Sequence, residues 1–214
     1  MALPTDQDRA RNNGHIPEQE LPAKKQESPT KKVDYPRLLE LGRELLIAIG
    51  ENPDREGLQD TPRRWASWWR EFIEYDAGTT DTSFNSVSTD QMVCVSGMRV
   101  FSLCEHHLLP MWCDVAIGYI PRDKVLGLSK FARIAHKFAH QLQVQERLGE
   151  QIADELSRIT GTPDVAVILK GEHLCMSARG IRTPGVMTTS VMRGVFRAEY
   201  QTRMEFLRLT DNTK

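Results

Sequence analysis

The order of apolar periodicities along the chain predicts an α+β fold with a largely antiparallel sheet. Helical spacing dominates up to residue 73, short β-like runs follow between residues 92 and 120, two more helical stretches reach residue 161, and strand-like runs return from Val165. A length of 214 residues with 40% apolar content suffices for one core of ordinary domain size.

Residues 1–34 read as a disordered polar tail. Proline, glutamine, lysine and asparagine recur there, and large apolar residues are too few to offset the entropy of ordering. Residues 35–90 read as a helical region ending in a loop. Leu38, Leu41, Leu45 and Ile49 set the first helix and Gly50 stops it. Thr61 is expected to cap the second, with Pro62 at its first position. Trp65, Trp68, Trp69, Phe72 and Ile73 then form an apolar stripe suited to a core or a subunit interface. Arg63 and Arg64 lie in its first turn, where cations oppose the helix dipole, a weak pointer to an anionic partner. The stretch 76–90, rich in Thr, Ser, Asp and Gly, reads as a loop.

Residues 91–210 read as the main domain, with 211–214 as its C-terminal end. Met92–Val95 and Met98–Leu103 are expected as strands joined by a Ser96-Gly97 turn, followed by a strand from Val115 to Ile120 that stops at Pro121. One helix carries Phe131, Ile134, Ala135, Phe138 and Leu142, and the next carries Val144, Leu148, Ile152, Leu156 and Ile159 before Gly161. Val165–Leu169 is an apolar strand leading to His173 and Cys175. A last strand spans Val186–Phe196, and a short helix lies near Thr202–Leu209.

A net charge of −1 gives no reason to expect nucleic acid or an anionic membrane as a partner. No apolar run approaches the roughly 20 residues of a bilayer span. The polar N-terminus lacks the apolar core of a signal peptide, so the chain is expected to be cytoplasmic. In that setting its four cysteines read as free thiols or metal ligands, with Cys94 and Cys113 structural.

The chemistry concentrates in two clusters, Cys104-Glu105-His106-His107 and His173-Leu174-Cys175. The two-residue gap between Cys104 and His107 lets one turn offer both to one ion, and Cys175 supplies a third ligand. Three protein ligands leave a position for water, the catalytic arrangement, whereas structural sites close with four. Residues two apart in a strand share a face, so His173 and Cys175 are expected to point the same way. The alternative is that these are ordinary polar residues buried near a turn. Ser129 and Lys130 open a helix with Arg133 one turn on, and Arg179 follows the second cluster. A helix N-terminus with basic side chains suits phosphate, although each cation alone reads as a solvated charge.

Together these stretches resemble GTP cyclohydrolase I. The resemblance rests on Ser102–Pro110 (SLCEHHLLP), Gly127–Lys130 with Arg133, Gln143–Arg147 (QVQER), His173–Gly180 (HLCMSARG), Gly194–Phe196 and Glu56–Pro62 (EGLQDTP), and it spans roughly residues 35–210. It implies a tunnelling fold: an antiparallel sheet with two helices packed on it, an N-terminal helical extension, and subunit sheets joined into a barrel in a toroidal homodecamer. It implies Zn2+ on Cys104, His107 and Cys175, and His106 and His173 as catalytic histidines, with Ser129 a further proton carrier. Glu146, helped by the Gln145 region, would grip the guanine of GTP. Ser129, Lys130, Arg133 and Arg179 would meet the ribose triphosphate, with Arg64 lent by a neighbouring subunit. Some members carry a lysine where this chain has Ser67, and Arg63 is the nearest substitute. The implied reaction opens the guanine ring at carbon 8, releases formate and yields 7,8-dihydroneopterin triphosphate. A nitrile reductase of the same fold would need a nicotinamide cofactor, and no dinucleotide glycine pattern is present. A non-catalytic zinc-binding member is the other alternative, and every position implied for zinc and histidine is filled here.

Overall fold

The computed structural model describes residues 32–85 and 91–211. The expected tail as far as residue 31, part of the expected loop (86–90) and the last three residues lie outside the described residues. Two helices come first, α1 (Tyr35–Ala48) and α2 (Thr61–Ile73). Asp34 caps α1 by accepting from Arg37 N at 3.1 Å. Its buried face is Gly42 and Leu46, whereas Leu45 and Ile49 of the expected stripe remain 47% and 64% exposed. Gly42 is chosen by contact: a Cβ there would lie 3.1 Å from both Pro62 and Trp65 of α2.

Helix α2 begins one residue earlier than expected. Asp60, not Thr61, is the N-cap, and it makes no side-chain cap bond. Its carboxylate lies 3.4 Å from both Arg63 and Arg64, which offsets the cations that looked misplaced. The aromatic stripe leads towards the next helical layer. Trp68 stacks on Phe72, and Phe72 and Tyr75 meet His140, Tyr75 at 3.8 Å between ring centroids.

The expected loop contains a short strand, β1 (Ser83–Asn85), which pairs antiparallel with β4 (Lys124–Leu126). Between them run β2 (Val93–Cys104) and β3 (Pro110–Tyr119). The expected Ser96-Gly97 turn is a β-bulge inside the single strand β2. The register against β3 shifts between Val95 and Met98, and Gly97 has φ 74°. Glycine takes this left-handed backbone without strain, so the strand absorbs the irregularity instead of ending.

Helix α3 (Leu128–Ala139), the two-residue strand β5 (Leu142–Gln143) and helix α4 (Gln145–Thr160) follow, and Gly161 closes α4 at φ 71°. Leu142 therefore belongs to a strand and not to the end of the helix. Strand β6 (Val165–His173) ends in one helical turn, α5 (Leu174–Ser177). The last strand, β7 (Val186–Met192), is shorter than expected. Gly194 at φ 54° turns the chain into α6 (Val195–Ala198) and α7 (Tyr200–Thr210).

The main sheet runs β5-β2-β3-β6-β7, antiparallel except where β5 lies parallel to β2. Helices α3 and α4 cover one face, burying Phe131, Ile134, Leu148, Ile152 and Leu156 against Val100, Val115, Ile117, Val167 and Leu169. On the other face Phe196 and Phe206 pack on Ala116, Ala166 and Ile168. The fold is thus mixed α+β, consistent with a tunnelling fold. The registers Leu103↔Pro110, Cys104↔Gln143, Met111↔His173 and Glu172↔Val186 bring both chemical clusters to one end of the sheet. All four cysteines are free, and burial pushes the Cys113 thiol up to about 12 and Cys94 to about 11. No helix among the described residues is long and apolar enough to cross a membrane.

One buried carboxylate ties the loop before β1 to the helices. Glu155, 7% exposed, receives Lys137 Nζ at 2.9 Å, Arg158 Nε at 2.8 Å and Thr80 Oγ1 at 3.3 Å. Burial raises its pKa, but the bonds from Arg158 and Lys137 outweigh burial and hold it at about 2, below the ordinary 4.5. A folded-state pKa below the unfolded value gives stability that is present above about 4.5 and is lost as pH falls towards about 2. Glu155→Gln is expected to lower unfolding free energy by on the order of 2 kcal/mol at neutral pH, allowing for solvent screening of the half-exposed cations. The difference from the parent protein in urea unfolding should shrink steadily as pH drops below 4.5.

Candidate functional site

The turn that closes β2 onto β3 carries the first cluster. Cys104 N donates to Leu109 O at 2.9 Å, and His107 N and Leu108 N donate back to Cys104 O at 3.3 and 2.9 Å. Leu108 sits at φ 55°. A left-handed leucine costs on the order of 1 kcal/mol and persists only where its surroundings fix it. Here the closed hairpin does so, and it displays His106 and His107 on the surface while Cys104 is buried behind them.

Cys175 arrives differently from the sequence expectation. Strand β6 ends at His173, and Cys175 lies in the helical turn α5, closed by Ala178 N donating to Leu174 O at 2.9 Å. Strand alternation therefore does not orient Cys175 relative to His173; the helical turn does. The donor atoms of Cys104, His107 and Cys175 all lie within 4.8 Å of one another, a group that could hold a metal ion. Cys104 Sγ is 3.7 Å from His107 Nδ1. Across a tetrahedral zinc site, a sulfur and a nitrogen ligand stand about 3.6 Å apart, so the donor set fits such an ion. Burial, then the hydrogen bond and charge of Cys104, raise the Cys175 thiol above its ordinary value, as expected of two thiols facing each other.

The two remaining histidines flank this group. His106 Nδ1 lies 3.9 Å from Cys104 Sγ. His173, at the end of β6, contacts Gln145 Oε1 through Nε2 at 2.9 Å. Gln145 is 1% exposed, and its amide nitrogen donates to Leu169 O, Met187 O and Thr189 Oγ1 at 3.1, 2.9 and 3.1 Å. The two carbonyls only accept, which fixes the amide orientation and leaves its oxygen facing His173. His173 Nε2 must then donate, and Nδ1 is its free nitrogen in the neutral ring. Room for this carboxamide comes from Gly171, where a Cβ would lie 2.1 Å from Gln145 Oε1. Burial pushes His173 below the ordinary imidazole value, opposed by the charge of Glu146.

Three successive residues open α4 and point to different places. Gln145 is buried against His173, Glu146 is exposed, and Arg147 pairs with Glu105 in the hairpin turn. Arg147 also donates Nε to Gln143 Oε1 and Nη2 to Leu142 O, both at 3.0 Å.

The expected anion contacts divide. Arg179 is at the centre, its Nη1 2.7 Å from His107 Nε2. Ser129 is exposed in the first turn of α3, while Lys130 Nζ donates to Thr79 O at 2.7 Å and Arg133 Nη1 to Ala77 O at 2.5 Å. Arg64 stands on α2 beside Asp60. The chain thus groups Cys104, His107 and Cys175, sets His106 beside Cys104 and Arg179 beside His107, and joins His173 to Gln145, while Lys130, Arg133 and Arg64 hold contacts elsewhere.

The chain matches the model of the family described as GTP cyclohydrolase I over residues 39–211. It is a member of that family of enzymes. A "GTP cyclohydrolase 1" of Hyperthermus butylicus is 44% identical, covering 84% of this chain and 92% of the relative. One from Aquifex aeolicus is 45% identical over 83% of this chain and 97% of its own. One from Deinococcus radiodurans is 41% identical and covers 95% and 97%. Every segment that carried the sequence resemblance falls inside the family match.

Sequence reasoning left Glu105 without a role and gave Arg147 none. No local spacing announced this contact, because Gln143 lies in β5, Arg147 in α4 and Glu105 in the hairpin turn. Gln145 was placed with the substrate, whereas its carboxamide is spent on protein groups. Replacing Gln145 with Leu strands the Leu169 and Met187 carbonyls. It should cost on the order of 2 kcal/mol in urea unfolding. Nitrogen NMR should show neutral His173 as the Nε2–H form in the parent protein and as a tautomer mixture in the variant.

Proposed function

We propose that this chain is a zinc-dependent GTP cyclohydrolase I, converting GTP to formate and 7,8-dihydroneopterin triphosphate. The observation that carries the reading is the convergence of Cys104, His107 and Cys175 at one end of the sheet, within 4.8 Å of one another and beside His106. Membership of the family supports the substrate. Two thiols and an imidazole suit zinc, and three ligands leave one position open. A zinc ion bound there supplies water that ionises near neutral pH, its pKa lowered to about 7.

The chain's own residues then have distinct tasks. Glu146, exposed at the first turn of α4, accepts from the guanine amino group and ring N–H, a donor pair that adenine lacks. His106, beside the ligand group, is the proton donor to the ring nitrogen next to carbon 8 in this reading. His173, held through Nε2 by Gln145, offers Nδ1 for a later proton transfer, with Ser129 as a second carrier. Arg179, Lys130 and Arg133 meet the triphosphate. For the last two this means exchanging the carbonyls of Thr79 and Ala77 for phosphate oxygens, a stronger charge-assisted partner.

The same reading makes the enzyme a cytoplasmic homodecamer whose sheets join into a barrel. The exposed Leu45 and Ile49 on α1 support self-association, and the position of Arg64 on α2 suits a residue lent to a neighbour's triphosphate. Residues 91–210 form the catalytic domain in this reading, with 35–90 as its helical extension.

Incubation with GTP should give a pterin fluorescent after oxidation, and a chelator should abolish it. Cys175→Ser should lose zinc and turnover together, and formate release without zinc would sink the metal assignment. His106→Ala should keep its zinc and lose about 100-fold or more in kcat. Glu146→Ala should raise the Michaelis constant for GTP at least about 10-fold, the effect of losing one good charge-assisted contact. An unchanged constant would rule out its part in base recognition.

A further inference from the structure

The hairpin turn that bears Cys104, His106 and His107 is joined to α4 by a compact polar brace. Glu105 N donates to Gln143 O at 3.0 Å, continuing the pairing of Cys104 with Gln143. The Glu105 carboxylate forms an ion pair with Arg147 Nη2. The same guanidinium donates to Gln143 Oε1 and Leu142 O at 3.0 Å. Gln143 is fully buried, and its amide nitrogen is fixed by Phe138 O at 2.8 Å and Gln151 Oε1 at 2.7 Å. The planar fork of Arg147 is therefore oriented by Nε on Gln143 and by Nη2 on Leu142 O, and the same Nη2 holds Glu105.

We propose that Glu105 and Arg147 are positioning residues, which fix the Cys104–His107 turn relative to the first turn of α4 and so set the metal ligands and His106 in register with Glu146 and His173. The proposal rests on the reading of this centre given above. Its geometric basis is that Gln145, Glu146 and Arg147 are consecutive. Gln145 holds the His173 side of the site and Arg147 holds the Cys104 side. Glu146 between them is exposed. An isolated pair of half-exposed charges would contribute little. This one differs because the arginine is already oriented by the buried Gln143, so little side-chain entropy remains to be lost on pairing. Glu105 directly follows the ligand Cys104, so the brace acts on that ligand through the backbone of the turn, and the low end of the 10–100-fold range for outer partners of metal ligands is the measure of its effect.

The test compares Glu105→Gln, Arg147→Gln and the double variant with the parent protein. Far-UV circular dichroism and thermal melting first establish that each is folded, with the exposed Arg99–Asp114 pair, cut by Arg99→Gln, as the control for loss of a surface ion pair. Zinc affinity, read by competition with a chromophoric chelator, should fall about 10-fold in each single variant. The kcat for GTP should fall by a similar factor while its Michaelis constant stays within about twofold, and the double variant should be no worse than the poorer single one. Zinc affinity and kcat within about twofold of the parent, matching Arg99→Gln, would overturn the proposal, as would fully additive losses. A parent protein that binds zinc but releases no formate from GTP would overturn the proposed function, while chelator competition still decides the brace. A parent protein that takes up no zinc would overturn both.

Discussion

The buried carboxamide of Gln145 is the contact on which the site depends. Its nitrogen is shared among β6 and β7 and its oxygen is given to His173. A primary amide in the interior is costly unless nearly every lone pair and proton is used. Here the cost is met by two strands and a histidine, so helix α4 is seated on the sheet in one position only. Glycine at 171 is the counterpart of this arrangement, since any side chain would occupy the space of the carboxamide.

From that seating the rest of the geometry follows. Antiparallel pairing places the start of β3 against the end of β6, so the hairpin turn after Cys104 and the helical turn after His173 become neighbours. Neither cluster could assemble a three-ligand group alone. The hairpin supplies one thiol and one imidazole from a tight, locally strained turn, and α5 supplies the second thiol from across the sheet. Helix α4 then sets an exposed carboxylate between the two halves. Its N-terminal position is electrostatically favourable, because the helix dipole stabilises an acid in the first turn.

Much of this was legible in the chain. The apolar periods of α3 and α4, the stop at Gly161 and the continuous run of β6 all express burial of one face or both, and burial leaves a period in the sequence. The zinc-like spacing of Cys104 and His107 was visible because both belong to one turn. Other features were not legible because they are pairwise. Gly97 announces a break in a strand, but only pairing with β3 distinguishes a bulge from a turn. Leu38 to Ile49 has helical spacing, but the close approach permitted by Gly42 decides that Leu46 faces α2 and Leu45 does not. The cations at the start of α2 looked unbalanced until Asp60 was seen to serve as the cap position and lie beside both.

The sequence by itself determined the elements, the residue types available for chemistry and, through its motifs, the family. These are local properties: periodicity, capping and short spacings need no knowledge of what lies across the fold. The tertiary structure alone decided that Cys175 reaches Cys104 from a helical turn, that Gln145 serves His173 from within the core, and that Glu105 is held by Arg147. Each of these joins residues separated by tens of positions, and the contact depends on strand register and helix seating, which arise from packing summed over the whole core.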